Sequence, residues 1–407
     1  MPDQPAATHT PSAHTMQVAA RVHAIEPFHV MEVVKAASEL ARAGVDVISM
    51  SVGEPDFTAT EQVAEAAIAA IRAGATQYTD ALGLAPLREA IAAHYAATYG
   101  IAIDRRRIIV TAGASAGLLL ACAALVGEGD QVLMPDPCYP CNRHFVSAFG
   151  GDPVLVPAGP DQRYQLSGAD VDAHWTERTR GVIVASPSNP TGTAMTAAQL
   201  AQMLAAVRAH GGFAIVDEIY QGLSFDAAPE TALRFDPAVI TVNSFSKYFN
   251  MTGWRLGWLV VPEALVPVFE KLAQNLFICP STIAQHAALA CFEPASLATY
   301  EARRLEFKRR RDYLVPALRA LGFSIPVMPD GAFYVYADIS ALPHPDHGDS
   351  AAFCLAVLRE TGVAIVPGAD FGVAAPERHV RFSYATSFER IEAAVARLAA
   401  LLAPASA

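Results

Sequence analysis

Short apolar runs alternate along the chain with longer segments rich in alanine and leucine. The runs are nearly continuous in apolar residues, which is typical of strands in a parallel sheet covered on both faces. Helical segments stand between them, at Ala116–Leu125 and Ala197–Ala209. This βαβ alternation predicts an α/β domain with right-handed crossovers. The predicted strands are Arg107–Thr111, Gln131–Met134, Gly181–Ala185, Ala214–Val216 and Ile240–Asn243.

The pattern changes after about residue 293, where helices become longer and strands fewer. This change predicts a second, smaller α+β domain. Its predicted elements are Ala298–Leu321, Phe333–Ala337, Ser350–Thr361 and Val380–Ser383. A chain of 407 residues is long for one core and fits two domains. We divide it into a disordered leader (1–20), an N-terminal segment that joins the small domain (21–60), a large domain (61–293) and a small domain (294–407).

Composition narrows the class of protein. Hydrophobic residues make up 53% of the chain and charged residues 17%, so a sizeable core can form. The net charge of -11 argues against nucleic acid, whose binding requires clustered cations. The one dense basic run, Arg303–Arg311, has helical spacing and predicts a solvated helix face. No apolar run reaches the length of a membrane span, and the leader lacks the features of a signal peptide. We therefore expect a cytoplasmic protein.

Six cysteines are scattered along the chain, and two of them form a C-x-x-C at Cys138 and Cys141. A redox or zinc motif would need a low-pKa thiol at a helix start or a second ligand pair. Here the motif lies among prolines and no second pair follows. We interpret the two cysteines as loop residues and expect no metal.

Polar and small residues follow each predicted strand. In open parallel sheets, ligands bind beyond the carboxyl ends of the strands. Five strand ends are therefore expected to bring a helix N-terminus, an aromatic ring, an amide, a carboxylate with a phenol, and a lysine to one edge of the sheet. The residues concerned lie in Gly113–Ser115, Pro135–Pro140, Ser186–Gly192, Asp217–Tyr220 and Ser244–Lys247.

These groups are the ones that a pyridoxal phosphate (PLP) site requires. A helix that starts after Gly113 offers backbone N–H groups to a phosphate, and the Arg255 guanidinium matches phosphate oxygens. Asp217 is placed to keep the pyridine nitrogen protonated, so that the ring can withdraw electrons. Lys247 can form an imine and then move the proton of the substrate Cα.

In combination, the motifs resemble those of the class I/II PLP-dependent aminotransferases of fold type I, the aspartate aminotransferase superfamily. The likeness runs from Ser51–Phe57 to Arg381–Ser383 and is strongest in the segments after the last three predicted strands. The resemblance implies a large domain on a mostly parallel, seven-stranded sheet flanked by helices, and a smaller α+β domain. It also implies a homodimer with shared active sites, in which Tyr78 reaches the neighbouring subunit's phosphate.

The resemblance assigns a role to each matching residue. Lys247 would carry PLP as a Schiff base, and Asp217 would bind the pyridine nitrogen. Asn189 and Tyr220 would hydrogen-bond the 3′-oxygen, while Tyr139 would stack on the ring. The phosphate would be surrounded by Gly113, Ala114, Ser115, Ser244, Ser246 and Arg255.

The implied reaction is ping-pong transfer of an amino group from an L-amino acid to a 2-oxo acid, either 2-oxoglutarate or pyruvate. Arg381 would grip the substrate α-carboxylate, helped by Asn189 and the backbone of Gly53. One branch of the family has a lysine for a distal carboxylate where this chain has Ser115. Because Phe28, Tyr78 and Phe333 could line an apolar pocket, we expect a neutral or aromatic donor.

Two other functions stay open at the level of sequence. A PLP-dependent C–S β-lyase would share every cofactor residue. Alternatively, Gly113–Gly117 is a literal G-x-S-x-G between a strand and a helix, the setting of a hydrolase nucleophile. Ser115 would then attack an ester, with Asp217 and His379 as candidate partners. No HGGG-type oxyanion segment precedes it, and the hydrolase leaves the lysine motif unexplained, so we favour it least.

Overall fold

The computed structural model describes residues 17–27 and 30–403, so most of the predicted leader and Phe28 lie outside the described residues. The helices are α1 (Val30–Arg42), α2 (Glu61–Arg72), α3 (Ala85–Tyr99), α4 (Gly113–Leu125), α5 (Cys141–Ala148), α6 (Gly168–His174), α7 (Ala197–Ala209), α8 (Val266–Leu276), α9 (Thr282–Leu289), α10 (Pro294–Ala320), α11 (Ser350–Thr361) and α12 (Phe388–Leu402). The strands are β1 (Ile48–Ser49), β2 (Ile108–Thr111), β3 (Gln131–Asp136), β4 (Asp152–Pro157), β5 (Thr179–Ala185), β6 (Phe213–Asp217), β7 (Ile240–Ser244), β8 (Gly257–Val260), β9 (Tyr334–Asp338), β10 (Val363–Ala364), β11 (Val366–Pro367) and β12 (His379–Ser383).

The large sheet has seven strands in the order β2-β8-β7-β6-β5-β3-β4. All neighbouring pairs are parallel except the two that involve β8, which runs antiparallel to β2 and β7. The predicted mostly parallel, seven-stranded sheet is therefore confirmed. Strands β4 and β8 were not predicted, although each holds a short apolar run between turn residues, Val154–Val156 between two prolines and Trp258–Val261 between Gly257 and Pro262.

Helices cover both faces of the large sheet, as the side chains of β5 show. Ile183 packs with Leu118 and Leu120 of α4 on one face. Its neighbours Val182 and Val184 pack with residues of α7 on the other face. Successive side chains of a strand point to opposite faces, so a strand covered on both must be apolar throughout. A capping box, in which Thr196 and Gln199 bond each other's backbone N–H, starts α7.

A small antiparallel sheet, in the order β11-β12-β9, lies in the C-terminal part of the chain. Its core is shared by α10, α11 and α12 through residues such as Phe307, Phe353 and Leu398. Strand β1 pairs in parallel with β10, which ties the N-terminal segment to this part. We keep the division at 60/61 and 293/294 as a proposal. Among the described residues, no helix combines the length and apolar character that crossing a bilayer requires.

The expectation of a solvated basic face on α10 is wrong for two arginines. Arg310 and Arg311 are buried, with 3% and 2% of their side chains exposed. Arg310 donates to Asp56, and Arg311 pairs with Asp226 and donates to the carbonyl of Pro329. Asp56 and Asp226 are distant in sequence from α10, so helical spacing alone does not reveal that these cations are buried.

Candidate active site

A cavity of about 510 Å³ lies between the carboxyl ends of the large-sheet strands and the loops of the small sheet. Ligand sites are favoured at such a position in open α/β sheets. Of the residues predicted to contact the cofactor or the substrate carboxylate, twelve line it, and Gly113 and Tyr78 do not. The twelve are Gly53, Ala114, Ser115, Tyr139, Asn189, Asp217, Tyr220, Ser244, Ser246, Lys247, Arg255 and Arg381.

Lys247 follows β7 and points into the cavity. Its Nζ donates to the carbonyl oxygen of Gly53 at 2.6 Å and lies 5.9 Å from the ring centroid of Tyr220. Burial lowers the pKa of Lys247 to about 8, with the charges of Arg255 and Arg381 acting in the same direction. A lysine with this pKa has a substantial fraction of neutral amine near neutral pH, as a nucleophile or base requires.

Asp217 is the last residue of β6 and is buried at the floor of the cavity. Its Oδ1 accepts the backbone N–H of Ile219 at 3.0 Å. Burial raises the pKa of Asp217 to about 6, and the nearby charge of Lys247 opposes that rise. A buried carboxylate with few hydrogen bonds or opposite charges around it is stabilised by a cationic N–H donor, such as a protonated ring nitrogen.

The start of α4 and Arg255 form a pocket for an anion. A Cβ added to Gly113, whose φ is +82°, would lie 2.7 Å from Nη2 of Arg255. Gly113 therefore lets the guanidinium approach the first turn of the helix, although it does not itself line the cavity. Ser244 Oγ donates to Ser246 Oγ at 2.9 Å beside this turn. Backbone N–H groups, a guanidinium and hydroxyls are the donor set that fits a phosphate.

Arg381, on β12, is buried on the opposite side of the cavity. It donates to Asn189 Oδ1 at 2.9 Å and to the carbonyl of Ser51 at 2.6 Å. Its guanidinium lies 4.5 Å from the ring centroid of Tyr334 and 4.8 Å from that of Phe371. Within the described chain its Nε is buried without a hydrogen-bond partner. A buried cation with unused donor capacity is suited to a carboxylate ligand.

Tyr334 is a cavity residue that the sequence analysis missed. Its hydroxyl lies 2.8 Å from that of Tyr220, and a Cβ at Gly53 would meet it at 2.5 Å. Its position at the start of β9, directly after Phe333, was the available signal. The prediction that Phe333 lines the pocket is wrong. Phe333 is fully buried in the core behind Tyr220 and does not line the cavity.

The apolar wall of the cavity comes from segments that the sequence analysis did not single out. Val30, Met31 and Val34 of α1 line it together with Val52. Val30, Met31 and Val34 belong to an amphipathic helix whose apolar face is only partly used by the core, and this pattern was the signal that could have identified them. The basic residues among the described lining are Lys247, Arg255 and Arg381.

Tyr78 does not lie at the cavity of its own chain. Its side chain is 82% exposed, in a segment held to α9 by a bond from Thr282 Oγ1 to the carbonyl of Gln77. Large apolar side chains just before α9 are also exposed, with Leu276 at 53% and Ile278 at 53%.

The hydrolase alternative lacks its triad. His379 stacks on Tyr336, with ring centroids 4.7 Å apart, and its Nδ1 bonds the carbonyl of Ala375. It is therefore committed elsewhere and does not line the cavity that contains Ser115.

Cys138 is a buried free thiol, and burial raises its pKa to about 12. In the described residues no cluster of His, Cys, Asp and Glu is arranged to hold a metal.

Comparison with known proteins identifies the class of enzyme. The sequence profile described as "Aminotransferase class I and II" matches residues 45–398. A valine–pyruvate aminotransferase of Mycobacterium tuberculosis is 41% identical over 380 residues, which cover 93% of this chain and 97% of that protein. An aspartate/prephenate aminotransferase of Thermus thermophilus is 36% identical over 385 residues, covering 94% and 98%.

Solved structures agree with this assignment. The crystal structure of an aminotransferase from Mycobacterium tuberculosis has a TM-score of 0.90 at 41% identity and covers 95% of this chain and 99% of that one. A Thermus thermophilus aspartate aminotransferase with maleate gives 0.89 at 35% identity, covering 95% and 100%. The chain belongs to the class I and II aminotransferases. It is a PLP-dependent enzyme that transfers amino groups.

Proposed function

We propose that this enzyme takes the amino group from an L-amino acid with a neutral, apolar side chain and passes it to pyruvate or 2-oxoglutarate. The observation that carries this proposal is the distribution of charge in the cavity. Arg381 has a buried Nε without a hydrogen-bond partner and would bind one carboxylate, Lys247 and Arg255 would serve the cofactor, and the wall at α1 is apolar. A second substrate carboxylate would be buried there without a cation, which is costly.

The residues around the cavity fit PLP. When bound, PLP supplies an aldehyde that condenses with amines and a ring that withdraws electrons from the substrate Cα. Lys247 would hold it covalently, and Asp217 would pair with the ring nitrogen. Asn189 and Tyr220 would bond the 3′-oxygen, and Tyr139 would cover the ring. The phosphate would be held by Gly113, Ala114, Ser115, Ser244, Ser246 and Arg255.

The chain's own groups then divide the remaining tasks. Arg381 binds and orients the substrate α-carboxylate, with Asn189 and the Gly53 backbone beside it. Tyr334 and Phe371 cover the guanidinium and exclude water from that contact. Lys247, whose pKa is lowered to about 8, would remove the Cα proton of the amino donor and, in the return half of the cycle, would supply the Cα proton of the amino acid formed from the acceptor.

A homodimer in the cytoplasm completes the proposal. Tyr78, Leu276 and Ile278 form an exposed group of large side chains on neighbouring segments. Contiguous exposed apolar side chains mark interaction surfaces. We expect this surface to face a second copy and Tyr78 to reach the phosphate in the partner's cavity.

The donor class is tested by kcat/KM for valine, leucine, phenylalanine and aspartate, with each 2-oxo acid as acceptor. We expect the apolar donors to exceed aspartate by about tenfold or more, because aspartate would bury an unpaired carboxylate. Met31→Lys should raise the aspartate-to-valine ratio, and Val22→Lys, an exposed position outside the cavity lining, should not.

Aspartate as the best donor of the wild-type enzyme would contradict the proposed substrate class. Release of pyruvate and ammonia from an S-alkyl cysteine without any 2-oxo acid would instead identify a β-lyase.

A further inference from the structure

One loop joins the two sheets at the edge of the cavity. Residues 368–375, which we name the bridging loop, follow β11 of the small sheet. On the cavity side, Asp370 and Phe371 belong to the lining. On the other side, the loop contacts Asp136, the last residue of β3 in the large sheet.

The contact between Asp136 and the bridging loop is close and specific. The buried Asp136 carboxylate accepts the backbone N–H of Val373 at 3.0 Å and that of Ala374 at 2.9 Å through the same Oδ2. The N–H of Cys138 donates to the carbonyl of Phe371 at 2.8 Å. Successive backbone N–H groups that converge on a carboxylate form an anion-binding nest with charge-assisted bonds.

Gly372 leaves room for this carboxylate. A Cβ at position 372 would lie 1.6 Å from Oδ1 of Asp136, although the φ of Gly372 is outside the left-handed region. Glycine is therefore required by the space that Asp136 occupies and not by the backbone conformation. A methyl group there would push the loop and the carboxylate apart.

The bridging loop also positions both parts of the proposed substrate site. Phe371 covers the Arg381 guanidinium, which would bind the α-carboxylate. Asp370 accepts the backbone N–H of Val30 at 2.8 Å and so fixes the start of α1, whose side chains form the apolar wall. Displacement of the loop would loosen the carboxylate contact and the wall together.

We propose that Asp136 is a positioning residue for substrate: its carboxylate latches the bridging loop onto the end of β3 and thereby holds Phe371 over Arg381 and α1 against the cavity. Asp136 does not line the cavity, so it acts through the loop. The proposal rests on the assignment of Arg381 and α1 to the substrate site.

The first test compares Asp136→Ala with the wild-type holoenzyme. We expect the KM for an apolar donor to rise about tenfold with kcat nearly unchanged, since loss of buried hydrogen bonds to a charged acceptor weakens ground-state and transition-state binding alike. The dissociation constant of 3-methylbutanoate, an unreactive carboxylate followed by the cofactor's absorbance, should rise by the same factor. The dissociation constant of PLP should stay unchanged. Asp136→Asn, which keeps an acceptor oxygen, should recover most of the loss.

A direct readout is hydrogen exchange at the amides of Val373 and Ala374. Exchange should accelerate in Asp136→Ala and stay slow in Asp136→Asn. This measurement does not depend on turnover, so it tests the latch even if the wild-type enzyme binds no apolar carboxylate, a result that would refute only the proposed substrate class.

Gly372→Ala provides an independent variant. It should reproduce the effect of Asp136→Ala, because the methyl group displaces the carboxylate, and it should add little in the Asp136→Ala background, where the clash is absent. Gly348→Ala is the matched control, since a Cβ there meets nothing within 4 Å. Unchanged exchange in both single variants, or loss of PLP with substrate binding intact, would overturn the proposal.

Discussion

Asp217 and Glu218 are adjacent carboxylates whose environments differ. Asp217 faces the cavity, whereas Glu218 is fully buried beside Thr231 and Ala232. Glu218 accepts from Thr231 Oγ1 at 3.0 Å and from the backbone N–H of Ala232 at 2.7 Å. Burial raises the pKa of Glu218 to about 8, and the charge of Asp217 adds to that rise. Glu218 thus supports the loop behind the site and favours its protonated form.

This raised pKa predicts how the stability of the fold depends on pH. The folded protein retains the Glu218 proton to about pH 8, whereas the unfolded chain loses it near pH 4.5, so this stabilising contribution is lost as pH rises between those values. Glu218→Gln keeps the acceptor and cannot ionise. At pH 8 the variant should exceed the wild type in unfolding free energy by roughly 3 kcal/mol, and at pH 5 the two should be similar.

Urea unfolding of both proteins at pH 5, 7 and 8 measures the difference. Glu177→Gln, at an exposed position, is the control and should show no growing gap. A difference for Glu218→Gln that does not change with pH would contradict the assignment of a raised pKa to this carboxyl.

At the scale of elements, α4 is built so that an anion and a cation can meet at its first turn. The helix is apolar and largely buried, so its N-terminus is fixed against the large sheet. Its first N–H groups have no partners within the helix, which leaves them to a ligand. Arg255, after β7 in the chain, reaches the same turn because Gly113 has no side chain.

Gly113→Ala should therefore weaken PLP binding strongly. The variant combines a strained φ of +82° with a Cβ 2.7 Å from the Arg255 guanidinium, so that cation must move away from the phosphate. We expect the dissociation constant of PLP to rise about tenfold or more, because a charge-assisted bond to phosphate is lost. Equilibrium titration followed by the cofactor's absorbance is the measurement.

Gly211→Ala separates the two causes of that effect. Its φ is +70° and a Cβ there meets nothing within 4 Å, so it carries the backbone strain without the collision. Equal loss of PLP affinity in both variants would argue against a role for Arg255 at the phosphate.

At the scale of the whole molecule, the site depends on the way in which the two sheets meet, and we propose that it also depends on a second chain. The large sheet provides the proposed cofactor contacts, and β12 and the bridging loop provide Arg381 and Phe371. Tyr78 faces away from its own cavity and is 82% exposed. We expect a second chain to bring this tyrosine to the site that lacks it.

Subunit complementation tests this arrangement. Lys247→Ala and Tyr78→Ala chains are each expected to form impaired homodimers. In a mixed dimer, one site combines the intact Lys247 with the intact Tyr78 of the other chain. Random mixing should therefore restore about a quarter of the wild-type activity, since half of the dimers would contain one complete site. No recovery in verified mixed dimers would place the action of Tyr78 within its own subunit.

Much of the chemistry could be predicted from the sequence because it lies at strand ends. Asn189, Asp217 and Lys247 each follow an apolar run, and parallel strands deliver their carboxyl ends to one edge whatever the details of packing. The same logic indicated the α/β class and five of the strands, whereas the seven-stranded sheet was implied by the family resemblance. Local spacing was sufficient there because the relevant geometry is set within a few residues of each strand.

Tertiary structure alone decided the contacts that join segments distant in sequence. Phe333 and Tyr334 are neighbours, yet Phe333, in the turn before β9, lies in the core, whereas Tyr334, the first residue of β9, lines the cavity. Arg310 donates to Asp56, which lies 254 positions away in sequence. Asp136 accepts a hydrogen bond from the bridging loop, which lies more than 230 positions away. Periodicity along the chain does not reveal such pairs, since they arise only when distant segments pack together.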